Sequence, residues 1–333
     1  MRRSTEIEDM PGLLQDALGK GHRPVEVVRL RGGTRKGVYR VLVDGSRAAS
    51  VIVYSWSDAE NFWPAGREHA STDPFAPASG LSLFLTAQRT LSSLGVRAPE
   101  VLLVDDTQRR HPADVAVVED IDGGTLEALL ETDPTRAAAV VNELAGMLDV
   151  MHHHHSGRHG GVDVLRRGGT ASGGSCEQRV FDGALRDVKE AARRDERIER
   201  AADALTDRLH ELAGRVTPRT EYGLIHGELG PDHVLIDADG HPVLIDIEGL
   251  KYFDIEWEHV FLQIRFGEHY TAFSRRGLDQ QRLDLYRLAM RLSLVTGPLR
   301  LLDGDFPHRE GMQWIAEHNL KEALALLGRD VGR

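Results

Sequence analysis

The stretch LIHGELGPDHVLIDADGHPVLIDIEG, residues 224–249, limits most strongly what this chain can become. Two short apolar runs, 234–236 and 243–245, flank a turn rich in Asp and Gly, the pattern of a tight β-hairpin. His226-Gly227-Glu228 stands before the first run, and Asp246-Ile247-Glu248 begins just after the second. Charges at the mouths of a hairpin add nothing to a core. Glu228 and His233 are five residues apart, and Asp246 lies 18 residues beyond Glu228. A hairpin returns Asp246 alongside the loop that carries Glu228 and His233. There the acidic groups can orient a hydroxyl and hold a hard cation, which prefers oxygen ligands. A surface turn with solvated charges is the competing reading, but such a turn needs no His-Gly-Glu at one mouth and Asp-x-Glu at the other.

The rest of the chain gives this hairpin a setting. Its 333 residues suffice for about two domains. Runs at 25–30, 38–43 and 50–56 are short, β-branched and punctuated by glycine, which predicts an antiparallel meander. A polar loop over 58–80 leads to an amphipathic helix at 81–95, and two more strands follow, the second ending near a Gly-marked joint at 119–124. Beyond Gly124 the texture is helical: 134–155, then a Gly-rich irregular stretch, then one long amphipathic segment from 184 to about 216. Ile198, Leu205, Leu209, Leu212 and Val216 share its apolar face. The tail from about 280 to 327 is helical again.

Composition excludes some partners. There are 52 acidic against 41 basic residues, a net charge of −11, which disfavours nucleic acid as a ligand and suits a neutral or cationic one. The single cysteine, Cys176, allows no internal disulfide and shows no nucleophile pattern. The opening residues lack an apolar signal-peptide core, and no stretch approaches the roughly 18 apolar residues of a membrane helix. A cytoplasmic protein without membrane partners is expected.

A second feature is the turn RGGTRKG between the first two runs. Gly32, Gly33 and Gly37 let the backbone approach a ligand closely, and successive N–H groups can cradle phosphate oxygens. Taken alone, such a turn is also an ordinary hairpin loop.

With these motifs together, the sequence resembles the aminoglycoside phosphotransferase and choline kinase family, which has the protein-kinase-like fold. The family's signature is His-Gly-Asp, four residues, Asn, about a dozen residues, then Asp-x-Glu or Asp-x-Asp; HGELGPDH and DIEG occupy those places. RGGTRKGVYRVLVDG resembles its nucleotide loop, VAVVEDIDGGTL its hinge, and LAGMLDVMHH its Leu-x-x-Leu-His helix end. YFDIEWEHVFL stands where the family has Gly-Asp-Pro and a buried acidic residue supporting the catalytic loop. The resemblance implies an α+β bilobal fold: a small antiparallel β-rich nucleotide lobe over 1–118, a hinge over 119–124, and a larger, mainly helical lobe over 125–333 for catalysis and substrate. It implies ATP or GTP as donor with Mg²⁺ or Mn²⁺, and a small hydroxylated acceptor, neutral or cationic. Glu228 would take the catalytic position and His233 and Asp246 the metal positions. Gly32, Gly33, Thr34, Lys36 and Gly37 would cover the phosphates, and Glu119 and Ile121 would meet the base. Glu248 is a further ligand candidate.

Four departures qualify the pattern. Glu228 replaces Asp and is longer by one methylene; His233 replaces Asn, and imidazole suits Zn²⁺ or Mn²⁺ better than Mg²⁺. The third strand has Ile52 or Val53 where the family carries a lysine, and the helix at 81–95 lacks the glutamate that pairs it. Losing both leaves no orphan charge. Arg35, Lys36 or Arg40 are candidates to supply the missing cation. A pseudokinase, a kinase-fold enzyme modifying Ser or Thr of a peptide, and one transferring a group other than phosphate remain alternatives.

Other features have two readings each. His152 or His153 in MHHHHSGRH matches the family's packed histidine, with a metal site as the alternative. DAENFWP packs aromatics over the joint or meets substrate. Asp254, Glu256 and Glu268 line a pocket for a substrate amine or form a solvated face, while Glu258 braces the catalytic loop.

Overall fold

The β-branched runs of the first third form strands in antiparallel succession. In the computed structural model, which describes residues 10–30, 33–44, 50–63, 73, 75, 78–171 and 174–328, these are β1 (Arg23–Arg29), β2 (Gly37–Asp44) and β3 (Ser50–Ser55). They join β4 (Val101–Asp105) and β5 (Val115–Glu119) in a five-stranded sheet of order β1-β2-β3-β5-β4. The central position of β3 explains its unbroken apolar run: its burial has no alternation, because both faces are covered. A helix not foreseen from the sequence, α1 (Met10–Leu18), buries Met10, Leu13 and Leu14 against Tyr39, Val41, Val51, Val53, Val115 and Val117. α2 (Leu81–Ser93) lies where the periodicity placed it.

By its internal contacts the chain divides into two units, 1–63, 77–151 and 231–250 forming the first, and 64–76, 152–230 and 251–333 the second. Besides the sheet, the first unit contains α3 (Leu126–Thr132), most of α4 (Pro134–His153) and the hairpin of β9 (Val234–Ile236) and β10 (Pro242–Leu244). Asp133 begins α4 by accepting a hydrogen bond from the Arg136 amide at 3.0 Å, and Pro134 sits in the first turn, where its missing N–H costs nothing.

The second unit contains a small sheet of order β6-β8-β11-β7, made of β6 (His155–Ser156), β7 (Gly160–Gly161), β8 (Tyr222–Ile225) and β11 (Lys251–Phe253). Its helices are α5 (Val162–Arg166), α6 (Cys176–Ala192), α7 (Glu196–Ala213), α8 (Ile255–Phe266), α9 (Gln280–Leu302) and α10 (Arg309–Ala325). The single long segment expected from 184 to 216 is two helices. Asp195 breaks it, capping α7 by accepting from the Arg197 amide at 2.8 Å. Ile198, Leu205, Leu209 and Leu212 do share the buried face, packed in one cluster with Leu285, Leu288, Leu292 and Val295 of α9. Among the described residues, no helix is long and apolar enough to cross a membrane.

Candidate active site

The glycine turn of the first unit is built on contacts that only glycine allows. A Cβ on Gly33 would stand 2.4 Å from the Lys36 carbonyl oxygen. Gly32 lies outside the described residues. Buried Glu60 supports the flanking strands, accepting from Arg29 at 2.6 Å and from the Tyr39 hydroxyl. The DAENFWP stretch clamps this turn. Phe62 N donates to the Thr34 carbonyl at 2.9 Å, Trp63 Nε1 donates to Thr34 Oγ1 at 3.1 Å, and the Arg35 guanidinium lies 4.5 Å from the centre of the Trp63 ring.

Of the three residues named as sources of the missing cation, one reaches acidic groups of the hairpin. Arg40 is engaged by Asp120 at 2.7 and 2.9 Å, and Arg35 rests on Trp63. Lys36, 8 % exposed, donates to Asp246 Oδ1 at 2.9 Å and to Glu248 Oε1 at 2.5 Å. Its Nζ lies 5.1 Å from the centre of the Tyr54 ring, on the face of β3 that Ile52 shares by the two-residue repeat. Burial alone would lower its pKa; the adjoining Asp246 and Glu248 carboxylates outweigh this and raise it, so the ammonium stays charged.

The β9–β10 hairpin sets the acidic mouth. Val234 pairs with Leu244, and Ile245 N donates to the His233 carbonyl at 3.0 Å, so residue 233 lies beside the start of the Asp246 loop. Asp246 adopts a left-handed backbone, φ 58° and ψ 43°, uncommon for a non-glycine residue, and its carboxylate is half exposed. His233 Nε2 lies 3.9 Å from Asp246 Oδ2, too far for a hydrogen bond but close enough for both to turn toward one ion. Among the described residues no group of three or more His, Cys, Asp or Glu side chains could hold a metal by itself. The donors fit an ion that binds through one or two protein groups plus phosphate oxygens, as Mg²⁺ does.

The Gly123-Gly124 stretch is tied to the same hairpin. Ile236 N donates to the Gly124 carbonyl at 3.0 Å, and a Cβ on Gly123 would stand 2.3 Å from the Ile236 carbonyl oxygen. Glu119 is held by Arg97 at 3.0 Å and its amide donates to the Glu100 carbonyl at 3.0 Å. Ile121 is buried, and its main-chain N–H and C=O have no hydrogen-bond partner among the described residues.

Glu228 belongs to the second unit and is the exposed residue of an otherwise buried loop after β8. That loop is braced as expected of Glu258: its fully buried carboxylate accepts from the His226 amide at 3.2 Å and the Gly227 amide at 2.9 Å, with His152 Nε2 at 3.1 Å. Burial pushes the Glu258 pKa up, but His152, His226 and the Gly227 amide prevail and lower it. His152 is thus the packed histidine. Asp254 and Glu256 do not form a solvated face, and Glu256 lines a pocket with His155, Arg219 and Glu221. Both are fully buried, Asp254 accepting from Arg282 at 2.5 Å and Glu256 from Arg219 at 2.8 and 3.0 Å. Glu268 is exposed.

The family model described as "Phosphotransferase enzyme family" (APH) matches residues 27–292. The chain belongs to this family. Solved structures agree on the protein-kinase-like fold. A thermostable mutant of aminoglycoside phosphotransferase APH(4)-Ia, in a ternary complex with ADP and hygromycin B, is 17 % identical, with a TM-score of 0.66 over 98 % of this chain and 100 % of that one. Spectinomycin phosphotransferase APH(9)-Ia, with ADP and spectinomycin, is 11 % identical, TM-score 0.62, over 97 % and 99 %. The GDP and kanamycin complex of APH(2")-IIia is 16 % identical, TM-score 0.59, over 95 % and 97 %. No curated protein matches the sequence.

Proposed function

We propose that this member of the family is an ATP- or GTP-dependent O-phosphotransferase that moves the γ-phosphate to a hydroxyl of a small molecule. The observation that carries the reading is the Lys36 ammonium at 2.9 Å from Asp246 and 2.5 Å from Glu248. It returns, from the glycine turn, the cation that β3 lacks. Phosphoryl transfer needs positioning and charge neutralisation more than covalent help from the protein.

In this reading residues 119–124 are the hinge between lobes ending at 118 and starting at 125. The main chain of Ile121, with Glu119 beside it, meets the base, and Gly32, Gly33, Thr34 and Gly37 cover the phosphates with Lys36. Asp246 and His233 hold Mg²⁺ or Mn²⁺, which neutralises phosphate charge when bound. Glu228 accepts the proton of the acceptor hydroxyl. The hydroxyl oxygen forms a bond to the γ-phosphorus while the bond from that phosphorus to the β–γ bridging oxygen breaks, and its electron pair leaves with the nucleoside diphosphate. Structural relatives that hold hygromycin B, kanamycin or spectinomycin support an aminoglycoside or other antibiotic as acceptor, a cationic class that suits the net charge of −11.

One observation favours a pseudokinase as the second reading: Lys36 already neutralises the Asp246 carboxylate that would otherwise draw a metal. A screen of aminoglycosides and other hydroxyl compounds with MgATP and MnATP decides between them. A product heavier by about 80 Da, formed by the intact chain and not by Asp246→Ala, is the expected result. Metal-independent nucleotide binding without any product would support the pseudokinase.

A further inference from the structure

β11 follows the Asp-x-Glu motif directly and begins with Lys251, a residue no motif assigns. Its neighbours on both sides are fixed by register: Lys251 pairs with Gly161 of β7 and with Ile225 of β8. Ile225 is the last residue before His226-Gly227-Glu228, so Lys251 enters the sheet three positions upstream of Glu228 on the facing strand. Lys251 is 9 % exposed, and its Nζ lies 5.1 Å from the centre of the Phe75 ring. Burying a lysine this deeply is costly unless acidic groups face it.

We propose that Lys251 positions Glu228, its buried ammonium fixing that carboxylate to receive the proton of the acceptor hydroxyl. The inference rests on the role given to Glu228 above.

The other groups that face Lys251 are committed elsewhere. Glu258 of α8 serves the His226 and Gly227 amides and His152. Asp73 accepts from Arg179 at 3.0 Å. The Cys176 thiol of α6 is pushed well up by burial and stays neutral. Burial lowers the Lys251 pKa, and of the groups that oppose this Glu228 acts most strongly, ahead of Glu258, Asp73 and Cys176. The arrangement answers the departure at position 228. A glutamate has one more torsion than the aspartate it replaces, and fixing that torsion costs side-chain entropy. A stationary cation supplies that restraint.

The chain has five lysines, Lys20, Lys36, Lys189, Lys251 and Lys321, so carbon-13-labelled lysine gives few enough NMR signals to assign by substitution. The titration is read on the full chain without nucleotide, comparing wild type with Glu228→Gln, a change at an exposed side chain. Loss of the carboxylate should lower the Lys251 midpoint by about one pH unit, tenfold in proton affinity, with the other four unmoved. A midpoint unchanged within about 0.2 unit overturns the contact. Turnover of MgATP then tests the consequence: Lys251→Met should lower kcat about tenfold with KM for ATP unchanged, Lys251→Arg should recover most of it, and Lys251→Met should add nothing to Glu228→Gln. If Glu228→Gln stops turnover while Lys251→Met does not, the positioning role falls alone. If Glu228→Gln leaves turnover intact, the role of Glu228 falls, and the titration still reports the contact.

Discussion

Replacing Lys36 by Met removes a cation from between two carboxylates of unequal exposure, and the structure sets the size of the effect. The Glu248 side chain is 4 % exposed, and its Oε2 has no hydrogen-bond partner among the described residues, so Oε1 bonded to Lys36 at 2.5 Å is its main compensation. Asp246 is 49 % exposed and can be hydrated when the lysine goes. Breaking a buried pair by deleting one partner costs about 3–5 kcal/mol, because it strands the other charge. With one carboxylate of the two stranded, the lower end applies, about 3 kcal/mol. At about 2.1 cal/mol/K of unfolding entropy per residue, a chain of 333 residues loses about 4 °C in Tm. Calorimetry on Lys36→Met, Glu248→Gln and the double variant measures it. The second substitution removes the stranded charge, so the double variant should regain at least about half of the loss. The reasoning is refuted if Lys36→Met melts within about 1 °C of wild type, or if the two losses simply add.

Three further effects follow from groups away from the glycine turn. Burial lowers the His259 pKa from 6.5 to about 4, so the folded chain resists a proton that the unfolded chain accepts. Stability should therefore fall between pH 6.5 and about 4 by roughly 3 kcal/mol from this group, and His259→Phe should flatten urea midpoints over that window. Glu258 has the opposite sign: its lowered pKa gives stability that is full above its ordinary value of 4.5 and lost as pH falls through the folded value. Glu258→Gln should cost about 3 kcal/mol at pH 7, a difference from wild type that narrows below pH 4.5 in the same denaturation series. Gly123→Ala places a Cβ 2.3 Å from the Ile236 carbonyl oxygen and should lower the melting temperature through about 1–3 kcal/mol of overpacking, whereas Gly146→Ala, where a Cβ meets nothing within 4 Å, should not.

The fold was legible where the chain alternates or repeats. The runs that became β1, β2 and β3, the apolar face of Ile198, Leu205, Leu209 and Leu212, and the hairpin of β9 and β10 are all local patterns. The cut at Asp195 was missed because a capping aspartate inside an amphipathic period looks like one more polar position. α1 was missed because nine residues with three buried side chains carry little periodic signal. Glu60 and the buried pairs of Asp254 and Glu256 had no signal at all, since their partners, Arg29, Tyr39, Arg282 and Arg219, are distant in sequence.

The lysine absent from the third strand shows why a motif can fail while a cation still reaches the acidic mouth of the hairpin. A pattern specifies a residue at a place in the chain, but a carboxylate pair needs a charge at a place in space. Ile52 and Tyr54 share one face of β3, and a side chain on that face and one from the turn before β2 can approach the same point, because Gly37 pairs with Ser55 and Val38 with Tyr54. The long, flexible stem of Lys36 crosses the Tyr54 ring and delivers its ammonium to Asp246 and Glu248. Arg40, one turn of the pleat further along β2, is drawn to Asp120. The choice among the three cations was therefore made by where the acidic groups stand, which only the closed hairpin reveals.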